Sequence, residues 1–271
     1  MILDFHIHSN TSPDNKLEID QIYAAAVEKN LKYVCITNHH EFIARLSDLG
    51  FTLDEIKIKK YLDHFSNLKL NSATKIFFGT EIGYWENKEE EIKQFINSVK
   101  FDFVIGSVHG LGEIELSNSK SRFKIKNQPE LQQQIVEDYF VKLKNAIKSQ
   151  LFDVIGHIDI FKKIMPEPDF DTLKIKWEEI ADLLVQHDIG FEINTSYKNY
   201  FGEKPELAIY PNKEIVKLFV EKGVKKITIG SDTHAIEQVG NQIEKVEEFL
   251  KSLDVKQICY FKERNSVFVD L

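Results

Sequence analysis

The sequence predicts an α/β protein whose parallel strands close, or nearly close, into a barrel. Two observations carry that reading. Seven short apolar runs, β-branched and aromatic, alternate with segments of helical period. The runs are apolar on both faces, as strands are when helices cover both sides of a parallel sheet. A third observation gives the barrel a working end. Seven of the nine histidines lie at or just past the C-terminal ends of those runs, with carboxylates beside them. Parallel strands of one sheet bring such ends together.

In chain order the runs are ILDFHIH (2–8), YVCITNHH (33–40), KIFFGTEIGY (75–84), FVIGSVH (103–109), VIGHIDI (154–160), GFEINTS (190–196) and KITIGSDTH (226–234). Helical spacing of apolar residues predicts helices over 17–30, 129–150, 174–190, 212–224 and 239–253, two of them (174–190 and 212–224) closing near a glycine suited to a helix C-terminus. Two longer excursions interrupt the alternation. Residues 41–74 contain EIKIKKYLDHFSNLKL (55–70), a predicted helix, and 110–128 read as a polar loop that could border a pocket. No linker, repeat or low-complexity tract divides the chain, so residues 1–271 are expected to form a single barrel domain.

Bulk properties narrow the function. No stretch approaches a membrane span, and no basic, small-residue leader precedes the first run. The net charge of −8 disfavours nucleic-acid binding, which needs clustered Lys and Arg. An anionic substrate stays compatible, because bound cations reverse the local field. Cys35 and Cys259 sit inside apolar runs and read as buried thiols of a reducing, cytoplasmic protein.

The candidate site residues are His6, His8, His39, His40, His109, His157 and His234, with Asp14, Glu81, Asp159, Glu192 and Asp232. Side chains alternate faces along a strand, so Asp4, His6 and His8 should point one way. The same period pairs His157 with Asp159, Glu192 with Asn194, and Asp232 with His234. Taken singly, His109, His157 and Glu81 read first as satisfied core or strand-end polar groups rather than ligands, and Asp14 beside Pro13 first as a turn or helix cap. Together they supply nitrogen and oxygen ligands for more than one divalent cation. Adjacent His39 and His40 must diverge, leaving one as ligand. His64 and His187 read as structural or surface histidines.

The ordered pieces D-F-H-I-H, T-N-H, G-T-E, G-S-V-H, G-H-I-D, E-I-N and G-S-D-T-H, from Asp4 to Gly240, resemble the polymerase-and-histidinol-phosphatase (PHP) family. The resemblance implies a distorted seven-stranded β/α barrel, of TIM type, with two or three divalent metals (Zn, Mn or Fe) at the C-terminal strand ends. Carried over, the first metal takes His6, His8, Glu81 and Asp232. Glu81 bridges to a second, held by His109 and His157, and a third takes Asp14, His39 and His234. Two positions depart from the family's pattern. Asn38 stands where an acidic residue is common, and Lys162 stands where histidinol-phosphatase members often carry Arg.

The residues contain no obvious Ser or Cys nucleophile, which points to metal-assisted hydrolysis. The resemblance implies a phosphomonoesterase of histidine biosynthesis acting on a small phosphorylated substrate, such as histidinol phosphate, through a hydroxide bridging two metals. Asp14 or His234 would protonate the leaving alkoxide. Lys162 and Lys163 are candidates to hold the phosphate, with Arg122 a further one. Alternatives are a nucleotide or other small-molecule phosphatase or phosphodiesterase, a metal-dependent C–N hydrolase, and a metal-holding module serving a partner.

Overall fold

The computed structural model describes residues 2–68, 73–198, 200–202 and 206–271. The strands are β1 (Leu3–Ile7), β2 (Tyr33–Glu41), β3 (Lys75–Gly83), β4 (Phe103–Ser107), β5 (Gly110–Leu111), β6 (Ile114–Glu115), β7 (Val154–Ile155), β8 (Gly190–Asn194), β9 (Ile227–Gly230), β10 (Gln257–Lys262) and β11 (Asn265–Asp270). Seven of them form one parallel sheet in the order β1-β2-β3-β4-β7-β8-β9. The sheet curls until its edges meet. Asp232 donates from its backbone N–H to His6 O at 2.7 Å, and His8 N–H donates to Thr233 O at 3.3 Å. The barrel is therefore nearly closed, as the alternation predicted.

Nine α-helices are found among the described residues: α1 (Ile19–Glu28), α2 (Ala44–Asp48), α3 (Glu55–Asn67), α4 (Glu89–Ser98), α5 (Arg122–Ile125), α6 (Pro129–Lys148), α7 (Phe170–His187), α8 (Lys213–Glu221) and α9 (Ile243–Ser252). Their starts are local chemistry. The Asp54 carboxylate accepts from Lys57 N–H at 2.8 Å, Asn212 Oδ1 accepts from Ile215 N–H at 2.9 Å, and Pro129 opens α6. α8 runs on to Gly223 at φ +86°, which suits the left-handed turn there. α7 differs from expectation. Asp188 takes the left-handed cap at φ +54°, and Gly190 instead lies in β8, where a Cβ would sit 2.6 Å from Lys226 O. The last two residues of the helix expected over 55–70 lie outside the described residues.

Three further differences matter. The segment 154–160 is strand for only two residues. The chain then turns into a 3₁₀ turn over Ile160–Lys163. The segment 110–128, expected to be loop, holds the β5–β6 hairpin and α5. The C-terminal hairpin β10–β11 was not anticipated. It plugs the N-terminal end of the barrel, with Tyr260 5.2 Å from the Phe77 ring and Phe261 5.1 Å from that of Phe103. Arg264 ties it to Asp153 at 2.9 Å. One apolar core runs through barrel and helices, and Cys35 and Cys259 are both buried and unpaired within it. Among the described residues no helix is long and apolar enough to cross a membrane.

Candidate metal centre

The C-terminal strand ends enclose three converging sets of donor atoms. In the first, His6 Nε2 lies 3.2 Å from His8 Nε2, 3.3 Å from Glu81 Oε2 and 3.8 Å from Asp232 Oδ1. His8 Nε2 lies 3.1 Å from the same Asp232 oxygen. In the second, Glu81 Oε1 lies 3.1 Å from His109 Nε2 and 2.8 Å from His157 Nε2. In the third, Asp14 Oδ2 lies 2.9 Å from His234 Nε2 and 3.5 Å from His39 Nε2. Glu81 joins the first two through its two oxygens. Parallel register aligns His39 with Glu81 across β2 and β3, and His39 Nδ1 stands 2.9 Å from Glu81 Oε2 without hydrogen-bond geometry.

The outer carboxylates set which nitrogen faces inward. Glu192 Oε1 lies 2.6 Å from His6 Nδ1, so that nitrogen carries the proton and the lone pair of Nε2 turns to the cluster. Glu41 does the same for His109 through Nδ1. His234 Nδ1 donates to Asp232 O at 2.8 Å. Each neutral ring therefore presents an acceptor to another acceptor. Glu81 Oε2 is buried with no hydrogen-bond partner. Such a set is unfavourable unless a cation stands among its members. Zn–N and Zn–O bonds of about 2.0–2.2 Å give tetrahedral ligand edges of roughly 3.3–3.6 Å, and the separations here, 2.8–3.8 Å, bracket that range. The residues fit two or three divalent cations.

The charges agree. Burial opposes ionisation of Glu81, but His109, His6 and His39 outweigh it and hold the carboxyl well below its usual range. Burial opposes protonation of His109, yet Glu81 and Glu41 raise it to about 9. Burial and the neighbouring His39 push His8 down to about 3. His157 and Asp232 both adopt left-handed backbone, φ +25° and +50°. Non-glycine residues held there store strain, which is concentrated at functional sites.

The structure brings His6, His8, Asp14, His39, Glu81, His109, His157, Asp232 and His234 into this one cluster. It separates others. His40 stacks on Phe95 at 3.5 Å and its Nδ1 accepts from Leu53 N–H, so it is structural. Asp159 was expected beside His157, but the early end of β7 breaks the strand alternation and sends its carboxylate to Lys162 at 2.7 Å. Lys162 is also corrected. Its ammonium is 1% exposed, donates to Ile209 O at 2.8 Å and lies 4.4 Å above the Tyr197 ring, so it does not face the cleft. Lys163 does, in a cavity of about 390 Å³ that opens onto the cluster. Arg122 lies 4.5 Å over the Tyr200 ring and is not among the residues lining that cavity.

Asp4 does not reach the cluster. Its carboxylate accepts from the backbone N–H groups of Ser231 and Gly240, both at 2.8 Å, and so holds the segment carrying Asp232. Asn38 accepts from Ser9 N–H at 2.8 Å and from the Ser12 hydroxyl at 3.3 Å, anchoring the turn before Asp14. Glu41 was missed. Its signal was its position two residues beyond His39 on one strand, which gives both side chains the same face.

Comparison with known proteins agrees with this architecture. A "Probable histidinol-phosphatase" of Clostridium acetobutylicum is 27% identical over 269 residues, covering 97% of this chain and 98% of that protein. A "Histidinol-phosphatase" of Lactococcus lactis is 27% identical over 266 residues, covering 96% and 94%. Among solved structures, the histidinol phosphate phosphatase of Lactococcus lactis, complexed with zinc, L-histidinol and phosphate, superposes with a TM-score of 0.78 at 22% identity, over 98% of this chain and 100% of that one. The PHP domain family matches residues 4–196, well over half of the 271 residues, and the chain belongs to that family.

Proposed function

We propose that this chain is a metal-dependent phosphomonoesterase acting on a small phosphate monoester of the histidinol phosphate type. The observation that carries the reading is the shared carboxylate. Glu81 offers one oxygen to each of two donor sets whose atoms are otherwise acceptors facing acceptors. The first set is His6, His8, Glu81 and Asp232, the second Glu81, His109 and His157. The full-length likeness to histidinol-phosphatases supports the substrate class. Residues 1–271 act as one domain on this reading, and the two unpaired buried thiols support a reducing, cytosolic setting.

Cations held there supply a nucleophile at neutral pH and charge neutralisation at the phosphoryl oxygens. The chain does the rest. Glu192 and Glu41 keep the proton on the outer nitrogens of His6 and His109. Lys163 lines the cleft and meets the anionic end of the substrate. His234 and Asp14, the most exposed of the set, stand at the cleft wall. Two roles are open to that pair. It either ligates a third cation or holds a proton on His234 Nε2 for the leaving alkoxide, and metal stoichiometry separates the two.

The test is elemental analysis together with a panel of phosphate esters, amides and lactones assayed with Zn, Mn and Fe. Two or more metals per chain and phosphate release from a small monoester are expected. Activity on amides or lactones alone, or less than one metal equivalent after supplemented expression, refutes the proposal.

A further inference from the structure

The C-terminal hairpin closes the barrel with one strand and leaves the other at the surface. Ile258, Cys259, Tyr260 and Phe261 of β10 are buried, whereas no residue of β11 is. β11 belongs to a two-stranded sheet and is paired along one edge only. Its ladder with β10 runs unbroken from Gln257↔Asp270 to Lys262↔Asn265, without a bulge.

Two contacts fix which groups face the open edge. Glu263 and Arg264, at φ +50° and +64°, form the two-residue turn that is flanked by a hydrogen-bonded pair. At the other end, Leu271 N–H donates to Lys256 O at 2.9 Å. Bonded and non-bonded pairs alternate along an antiparallel ladder. Asn265, Val267 and Val269 therefore bond to β10, and Ser266, Phe268 and Asp270 turn their N–H and C=O groups outward. Among the described residues no hydrogen bond reaches those outward groups. Proteins commonly blunt such an edge with proline, lysine, a bulge or a covering loop. Residues 265–270 (NSVFVD) contain no Pro, Lys or Arg, and Phe268, at the middle of the edge, is 41% exposed.

We propose that β11 is an interface for a second copy of this chain, the two strands pairing antiparallel about a twofold axis at Phe268. The strand is complementary to itself in that register. Phe268 meets Phe268 of the partner subunit, Val267 meets the partner's Val269, and each outward N–H finds an outward carbonyl. Asp270, the one charged residue of 265–270, stands opposite the partner's Ser266, a hydroxyl donor, and not opposite its own copy. Neighbouring registers are poorer. A shift of two residues one way sets Asp270 against the partner's Phe268. A shift the other way carries it onto the turn at the partner's Arg264, whose guanidinium already holds Asp153 at 2.9 Å. The metal cleft lies at the opposite end of the barrel, so the pairing leaves it open.

The experiment is sedimentation velocity of the protein over a dilution series, with thermal unfolding to confirm that each variant is folded. One strand pair is a small interface, so a reversible dimer is expected, with a midpoint on the order of 10 µM. Phe268→Lys sets two ammonium groups opposite each other, and Ser266→Asp sets a carboxylate opposite the partner's Asp270. Each should weaken the dimer roughly tenfold or more, whereas Ser266→Lys, opposite the same Asp270, should hold or tighten it. Phe268→Cys supplies a readout of register. Residues across a bonded antiparallel pair have Cα atoms about 5.5 Å apart, within disulfide reach. Mild oxidation should therefore link Phe268→Cys into a covalent dimer and leave Asn265→Cys unlinked. A parent that stays monomeric up to roughly 200 µM, or a dimer that Phe268→Lys and Ser266→Asp leave unchanged, overturns the proposal.

Discussion

Replacing Lys162 by Met tests the correction the structure makes to its role. The ammonium is buried against the Asp159 carboxylate at 2.7 Å, and Asp159 is 0% exposed. Removing the cation leaves that carboxylate with the Asn212 N–H at 3.0 Å and a second oxygen that has no partner. Breaking a buried pair by deleting one member costs about 3–5 kcal/mol, which for a chain of this size lowers Tm by roughly 10 °C. The pH dependence follows from Asp159. Burial raises its carboxyl to about 6, although Lys162 pulls it down. The unfolded value is about 3.9. The folded state therefore binds the proton more readily, and the contribution of Asp159 is most favourable below about 4 and is lost as pH rises through about 6. Without Lys162 that loss extends to higher pH. The destabilisation of Lys162→Met should be larger at pH 8 than at pH 5, where the carboxyl is neutral in both proteins. Urea unfolding of parent, Lys162→Met and Lys162→Met/Asp159→Asn at the two pH values measures this, and the double variant should recover much of the loss. Unchanged stability with a tenfold rise in KM for a phosphate ester would refute the reasoning and return Lys162 to the substrate.

Glu81→Ala should bring metal content below one equivalent per chain, because it removes an oxygen from two donor sets at once. Glu192→Gln, which disturbs the contacts to His6 Nδ1, the His157 N–H and the Asn194 amide but removes no cluster-facing oxygen, should weaken metal affinity about 10–100-fold. Equal losses by elemental analysis after dialysis would contradict that ranking. Lys163→Ala should lower kcat/KM on the best phosphate ester roughly tenfold with metal content intact, since its ammonium lines the cleft and is no ligand; parental kinetics would place it on the solvated surface.

The sequence by itself determined the alternation of elements, the parallel barrel and most of the cluster. His6, His8, His39, Glu81 and His109 were legible because a strand end is a local feature, and parallel strands bring their ends together whatever loops follow. The helices were legible where apolar period and caps coincide, as in α3 and α8. α4 and the C-terminal hairpin went unread. The hairpin's aromatic residues pack against Phe5, Tyr33, Phe77 and Phe103 at the far end of the barrel, a partnership with no local signature. Tertiary structure alone decided the fate of the segment after β7. The motif around His157 looked like a strand, but the chain leaves the sheet after Ile155. Asp159 and Lys162, three residues apart, then turn toward each other beneath Ile209, Tyr197 and Tyr210, which come from a distant loop. A lysine beside a catalytic strand has the same sequence signature whether it faces a phosphate or a buried aspartate. Packing decides between them, because it sets which charge has left water and must find a partner.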